Sequence, residues 1–256
     1  LREFVKQEKI SHYLKQFKIS ERYSTEDLRN LQIGKLHELL LYLKHYNPYY
    51  SKYLQDNEVL LEIKSAVNLY PILDKLPIVD KQYINKHSKE WLTTNSKSKL
   101  TKSSTSGSTG MPFELYHSSL SSDIKASLKC RLLDWHGVKR WKKQLYYGCT
   151  YSSHKSILSS IKKALNNRFV LNRIVIDITK INIRNLEKEI ARINKVKPIT
   201  IWGYSSFIYE IANYSLSHNV PIKNDKLKMI ILSGESHTTY MNSIIHKAFN
   251  LEPDDE

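Results

Sequence analysis

The chain has 256 residues, 41% of them hydrophobic, and carries a formal charge of +15 with a pI of about 9.5. That is enough to build a core in one large domain or two small ones, while two cysteines, Cys130 and Cys149, exclude a disulfide framework and a four-cysteine metal site. No apolar run approaches the roughly 18 residues that cross a bilayer, and Leu1–Ile10 is charged throughout, so neither a spanning helix nor a signal peptide is expected and a reducing cytoplasm fits.

In chain order, residues 1–55 read as helical, with Leu31, Leu36, Leu39, Leu40 and Leu43 near helical spacing. The aromatic group Tyr46, Tyr49, Tyr50 and Tyr53 follows, interrupted by Pro48, and such a stripe is more often packing than a ligand box. Pro71 and Pro77 bracket a short segment, and a helix is expected to restart after Lys81. Residues 93–110 are rich in Ser, Thr, Lys and Gly, a composition shared with disordered linkers. Phe113–Tyr116 then alternates like a strand, and 119–134 is helix-like.

From there the pattern alternates. Tyr146–Gly148 and Ile174–Ile178 look like short buried strands. Leu186, Ile190 and Ile193 mark a helix over 184–196 that Pro198 closes. Ile199–Trp202 reads as a strand ending at Gly203, with a helix after it through about Tyr214. Lys228–Leu232 is the clearest strand, stopped by Ser233-Gly234, and Met241, Ile244, Ile245, Ala248 and Phe249 line one side of a last helix. The expected fold class is therefore α/β: an N-terminal helical segment over 1–92, then a mainly parallel sheet flanked by helices over 93–256. Ligand loops in such sheets lie at the carboxyl ends of strands, where Gly203 and Gly234 both sit.

The informative polar segment is Ser103–Phe113, within which Thr105-Ser106-Gly107-Ser108-Thr109-Gly110-Met111-Pro112 holds two of only seven glycines. Glycine lets backbone N–H groups approach a ligand, and successive N–H groups make a concave anion site. Ser and Thr hydroxyls donate to phosphate oxygens without adding charge, and Pro112 stiffens the exit. The spacing is not that of the P-loop, and no Gly-x-Ser-x-Gly elbow occurs. Read alone, a flexible Ser/Thr/Gly linker remains open.

This segment resembles the phosphate-binding motif of the adenylate-forming superfamily. Asn47-Pro48-Tyr49-Tyr50, Leu76-Pro77-Ile78-Val79-Asp80-Lys81, Trp202-Gly203-Tyr204-Ser205-Ser206 and Ile231-Leu232-Ser233-Gly234-Glu235 resemble, in order, segments of its phenylacetate–CoA ligase-like branch, which includes CapK-like capsular polysaccharide biosynthesis members. The resemblance implies ATP-dependent activation of a small carboxylic acid to an acyl-adenylate, with ATP and Mg2+ as cofactors and coenzyme A among the acceptors. It implies that Thr105, Ser106, Gly107, Ser108, Thr109 and Gly110 hold the β- and γ-phosphates. Gly234 and Glu235 then lie at the adenine and acyl end, and Tyr204 borders the acyl pocket.

Departures from the family pattern shape the remaining expectations. Ser205 stands where the branch has proline, and Met111 where many members have lysine, a charge that Lys102 is a candidate to replace. The family's Tyr-Gly-x-Thr-Glu-like segment, ribose-binding aspartate and catalytic lysine do not occur before Glu256, and the chain opens on Leu1. An incomplete large domain is thus expected, inactive alone, with the acidic end Asn250–Glu256 frayed. Bland readings stand beside these: Glu235 as a helix N-terminal acid and Tyr204 as core packing.

Two other functions are weighed. One is a catalytically dead remnant or regulatory module that holds a nucleotide or acyl ligand. The other is a basic nucleic-acid-binding protein, favoured by the charge and interleaved tyrosines but lacking a binding motif or a one-sided charge run. Only Lys139–Lys143 and Lys162–Lys163 form short basic clusters, so a solvated lysine surface is expected, with no nucleic-acid and no membrane partner. No metal site is expected: His136, His154, His237 and His246 show no recognised ligand spacing. No catalytic residue is assigned.

Overall fold

The computed structural model describes residues 2–56, 70–94, 100–104, 113–139, 141–149 and 172–255, with single residues 161, 165 and 167. The chain divides into two compact units, Leu1–Arg131 and Leu132–Glu256.

The first unit opens with α1 (Arg2–Ser20), α2 (Thr25–Tyr46) and α3 (Pro48–Asp56), followed by the short α4 (Tyr70–Leu73) and α5 (Lys81–Lys86). Local chemistry sets these breaks. Ser24 starts α2 with a capping box: its Oγ accepts the Asp27 N–H at 3.1 Å, and the Asp27 carboxylate accepts the Ser24 N–H at 3.2 Å. Asn47 is buried between α2 and α3, where its Oδ1 accepts the Tyr50 N–H at 3.0 Å and its Nδ2 donates to the Trp91 carbonyl at 3.1 Å. Pro48 sits in the first turn of α3, where its missing N–H costs nothing. Tyr49 stacks on Trp91 at 4.5 Å, with Tyr50 edge-on to the same ring, so this part of the aromatic stripe is packing. Asp80 caps α5 by accepting the Tyr83 N–H at 2.7 Å. Leu40 and Leu54 form a small core against Leu36, Leu43, Tyr50, Tyr53 and Leu76.

A two-stranded antiparallel hairpin follows, β1 (Thr101–Ser104) and β2 (Glu114–His117), and then α6 (Ser119–Trp135). Ser127 Oγ donates to the Ile10 carbonyl at 3.1 Å and so ties α6 to α1. Cys130 and Cys149 are not joined in a disulfide, and the first is buried.

The second unit is a wound α/β layer: β3 (Gln144–Gly148), β4 (Arg173–Asp177), a 3-10 turn (Ile178–Lys180), α7 (Glu187–Val196), β5 (Thr200–Tyr204), α8 (Ser205–Ser217), β6 (Met229–Ser233), α9 (Thr239–Phe249) and β7 (Asp254–Asp255). The sheet order is β4-β3-β5-β6-β7, and every pairing is parallel. Strands covered on both faces read as continuous apolar runs, as Met229–Leu232 does. Alternation sends Leu145, Tyr147, Ile201, Ile230 and Leu232 into the main core with Ile190, Ile193, Ile208, Ile211 and Ile245 of the helices. Trp202, Met229 and Ile231 point the other way, against Leu133 and Val138. Lys197 and Asn250 end α7 and α9 in the left-handed conformation, and Pro198 follows the first.

The acidic end departs from expectation. It is not frayed through Asp255: β7 adds to the sheet with Ile231 paired to Asp254 and Leu232 to Asp255. Histidines meet both carboxylates, His136 Nε2 at 3.2 Å from Asp254 Oδ1 and His237 Nε2 at 3.6 Å from Asp255 Oδ1. Two aspartates are poor strand formers, so pairing with a buried neighbour and these contacts override the local preference.

Candidate functional site

In the second unit, strand order places β3 first, with β4 on one side and β5, β6 and β7 on the other. The chain therefore reverses direction across the sheet between β3 and β5, and in open parallel sheets the ligand crevice lies outside the carboxyl ends at that point. The residues there are Gly148 on β3, Tyr204 on β5 and the Ser233-Gly234-Glu235 turn after β6, with Tyr204 in register with Ser233.

Two glycines make the close approach possible. Gly203 pairs with Tyr147, and a Cβ on it would lie 2.9 Å from Tyr147 Cβ and 3.1 Å from the Tyr147 carbonyl oxygen. Gly234 has φ of +80°, in the left-handed region, and a Cβ on it would lie 2.7 Å from Cε1 of Tyr204. The Tyr204 ring thus lies directly over Gly234 and half-buried at the margin of the main core.

Glu235 joins the same turn. Its Oε2 accepts the Ser206 N–H at 3.1 Å, at the start of α8, where the free amides and the helix dipole favour an anion. Ser205 Oγ donates to the Glu235 carbonyl at 3.1 Å. Trp202 Nε1 donates to Ser233 Oγ at 3.1 Å from the other face. Tyr204, Gly234 and Glu235, named from the sequence, are therefore neighbours. Ser205 and Ser233, which hold the two turns together, were not singled out as site residues. The signal for Ser205 was its departure from the family's proline, which could not make this bond. Glu235→Ala is expected to cost about 1 kcal/mol, the size of a lost helix cap, read as a drop in the denaturation midpoint.

Thr105, Ser106, Gly107, Ser108, Thr109 and Gly110 lie outside the described residues, as do Met111 and Pro112. What the structure describes is their frame. Ser104 pairs with Glu114, so the segment leaves one strand and returns on its neighbour, about 5 Å away. Lys102 Nζ lies 2.5 Å from Glu114 Oε1, and the hydrogen bond to that carboxylate raises the lysine's pKa. The ammonium proposed to replace the family's lysine is thus engaged by an acid on the same hairpin. Across the two strands, Ser103 Oγ and His117 Nε2 share a hydrogen bond at 2.8 Å. His117 carried no spacing signal, because only strand pairing brings it beside Ser103. Among the described residues no three of His, Cys, Asp and Glu gather as a metal site, and no helix is long and apolar enough to cross a membrane.

No protein-family model matches the chain. It is 28% identical over 249 residues to Protein CapK of Staphylococcus aureus, covering 96% of this chain and 53% of that protein. The chain thus spans about half the length of the curated relative it matches. The structure is similar to that of a 2-hydroxyisobutyryl-CoA ligase in complex with 2-HIB-AMP and CoA in the thioesterification state. There the TM-score is 0.67 at 15% identity, covering 91% of this chain and 49% of the ligase. An open conformation of the same ligase, also with 2-HIB-AMP and CoA, gives a TM-score of 0.62 at 15% identity, covering 87% and 48%.

Proposed function

We propose that this chain, a homologue of Protein CapK built on the fold of acyl-CoA ligases of the adenylate-forming superfamily, supplies the polyphosphate- and acid-binding part of an enzyme that activates a small carboxylic acid with ATP. The product is an acyl-adenylate, and coenzyme A or another nucleophile then takes the acyl group. The observation that carries this reading is the convergence of Tyr204, Gly234 and Glu235 at the carboxyl end of the parallel sheet, beside its switch point.

In this reading Tyr204 borders the acyl group, and Gly234 lets the backbone approach the adenylate without a Cβ in the way. Glu235 holds the β6 turn against α8, which keeps the Tyr204 backbone in place. The hairpin of β1 and β2 presents Thr105, Ser106, Gly107, Ser108, Thr109 and Gly110 as amide and hydroxyl donors to the β- and γ-phosphates. Mg2+ would neutralise the polyphosphate when bound. Residues 1–92 act as a helical scaffold and 93–256 as a partial AMP-binding region.

The tests are ATP–pyrophosphate exchange and calorimetry. The 256-residue chain alone is expected to give no exchange, because it spans only half of its relative. In a chain of the relative's full length, exchange is expected with the correct acid. Gly107→Ile in that longer chain is expected to weaken ATP binding about tenfold, or 1.4 kcal/mol. Unchanged affinity would remove the phosphate role from the loop. ATP binding without exchange in the longer chain would favour a non-catalytic nucleotide-binding module.

A further inference from the structure

The second unit has another concave surface, away from the β5 and β6 turns. A cleft of about 470 Å³ opens at the carboxyl end of β4, lined by that strand, the 3-10 turn after it and α7. β3 lies between β4 and β5, so the cleft is separate from the Tyr204–Gly234 turn. Its size is within the range of small-molecule sites. Val175, Ile176 and Ile181 give it an apolar base, and Lys180, Lys188 and Arg192 supply three cations.

The charges are not evenly spoken for. The Asp177 carboxylate also lines the cleft and leaves one negative charge there, its Oδ1 accepting the Thr179 N–H at 3.2 Å and the Thr179 hydroxyl at 2.7 Å. Glu189 is only 4% exposed, and its Oε1 lies 3.3 Å from Arg192 Nη2. A buried carboxylate is costly unless a cation compensates it, so Glu189 holds the Arg192 guanidinium over the cleft. Behind it, the fully buried Tyr147 phenol faces Glu189; burial first, and the carboxylate second, push that phenol well above its usual range. Neither Tyr147 Oη nor Glu189 Oε2 completes a hydrogen bond among the described residues. Lys180 and Lys188 are exposed and have no anionic partner among the described residues.

We propose that this cleft binds a small organic phosphate monoester, with Lys180, Lys188 and Arg192 as the anion ligands and Glu189 as the residue that positions Arg192. The donor set selects this ligand class. Asp177 and Glu189 offset two of the three positive charges, but three cationic side chains offer a donor to each of a monoester's three terminal oxygens, where a carboxylate has only two. Arg192 adds a planar donor fork suited to phosphate oxygens. The apolar base then takes the organic remainder, and a bare inorganic ion would leave it uncovered. The inference is independent of acid activation, since it uses none of the residues placed in that site.

The test is titration of the full chain at pH 7, followed by backbone amide chemical shifts, with inorganic phosphate, phenyl phosphate and benzoate as probes. Saturable shifts over residues 178–192 are expected with phenyl phosphate, weaker binding with inorganic phosphate, and about tenfold weaker binding with benzoate. Lys180→Ser with Lys188→Ser is expected to weaken phenyl phosphate binding at least thirtyfold, while Lys180→Arg with Lys188→Arg keeps it. Shifts confined to other segments, equal binding of benzoate, or unchanged affinity in the serine pair would each overturn the proposal. The segment-resolved readout also separates this site from phosphate captured by the Ser/Thr/Gly loop.

Discussion

Replacing Gly203 with valine is expected to lower the free energy of unfolding by about 3 kcal/mol. The added Cβ would stand 2.9 Å from Tyr147 Cβ, 3.1 Å from the Tyr147 carbonyl oxygen and 3.2 Å from Ile208 Cδ1. Two of those atoms belong to β3 close to its backbone, and Tyr147 is fully buried, so it cannot swing aside. Relief requires β3 and β5 to separate or α8 to lift, and a close-packed interior resists both. Removing a glycine from a strand returns only about 0.5–1 kcal/mol of chain entropy, which does not offset the clash. With m near 1–3 kcal/mol/M in urea, the midpoint should fall by roughly 1 M or more. A fall under about 0.3 M would show that β3 and β5 are not held together as closely as this.

Gly234→Ala is expected to act differently. The position has φ of +80°, which costs an L-residue about 1–2 kcal/mol. The new Cβ also meets the Tyr204 ring, with Cε1 at 2.7 Å and Cδ1 at 2.9 Å. That ring ends a flexible side chain, so it moves rather than the strand. Stability should therefore fall by about 1–2 kcal/mol, and on the proposed acid-activation reading the full-length protein should also bind its acid about tenfold more weakly because Tyr204 is displaced. Gly234→Asn separates the two effects. Asparagine accepts left-handed backbone, as Asn172, Asn219 and Asn250 do in this chain, so most of the stability should return. The acid affinity should stay weak, because the Cβ remains. If Asn restored both, Tyr204 would have no part in the acid site.

Parts of this arrangement were legible residue by residue. Leu186, Ile190 and Ile193 fall at helical spacing and all three are buried, although the helix begins at Glu187 and Leu186 is the residue that caps it. Lys228–Leu232, stopped by Ser233-Gly234, reads as a strand, and the strand runs one residue later, over Met229–Ser233. The site glycines stood at the ends of such strands before any pairing was known. Other parts were not legible. Thr101–Ser104 has the composition of a linker, yet it is a strand because β2 pairs with it. Glu235 reads as an acid ahead of the helix that follows it. In the folded chain its carboxylate turns to the helix before it, at Ser206, 29 positions away.

By itself, then, the sequence determined the helical opening, the alternation of strands and helices, and the glycine positions where backbone must come close. Those features rest on periodicity, caps and turn residues, which act over a few positions along the chain. Only the tertiary structure decided the β4-β3-β5-β6-β7 order, the capture of the Asp254–Asp255 end as a strand, and the gathering of Lys180, Lys188 and Arg192 around one cleft. Each of these depends on burial and charge shared between distant segments, a free energy that no local pattern carries.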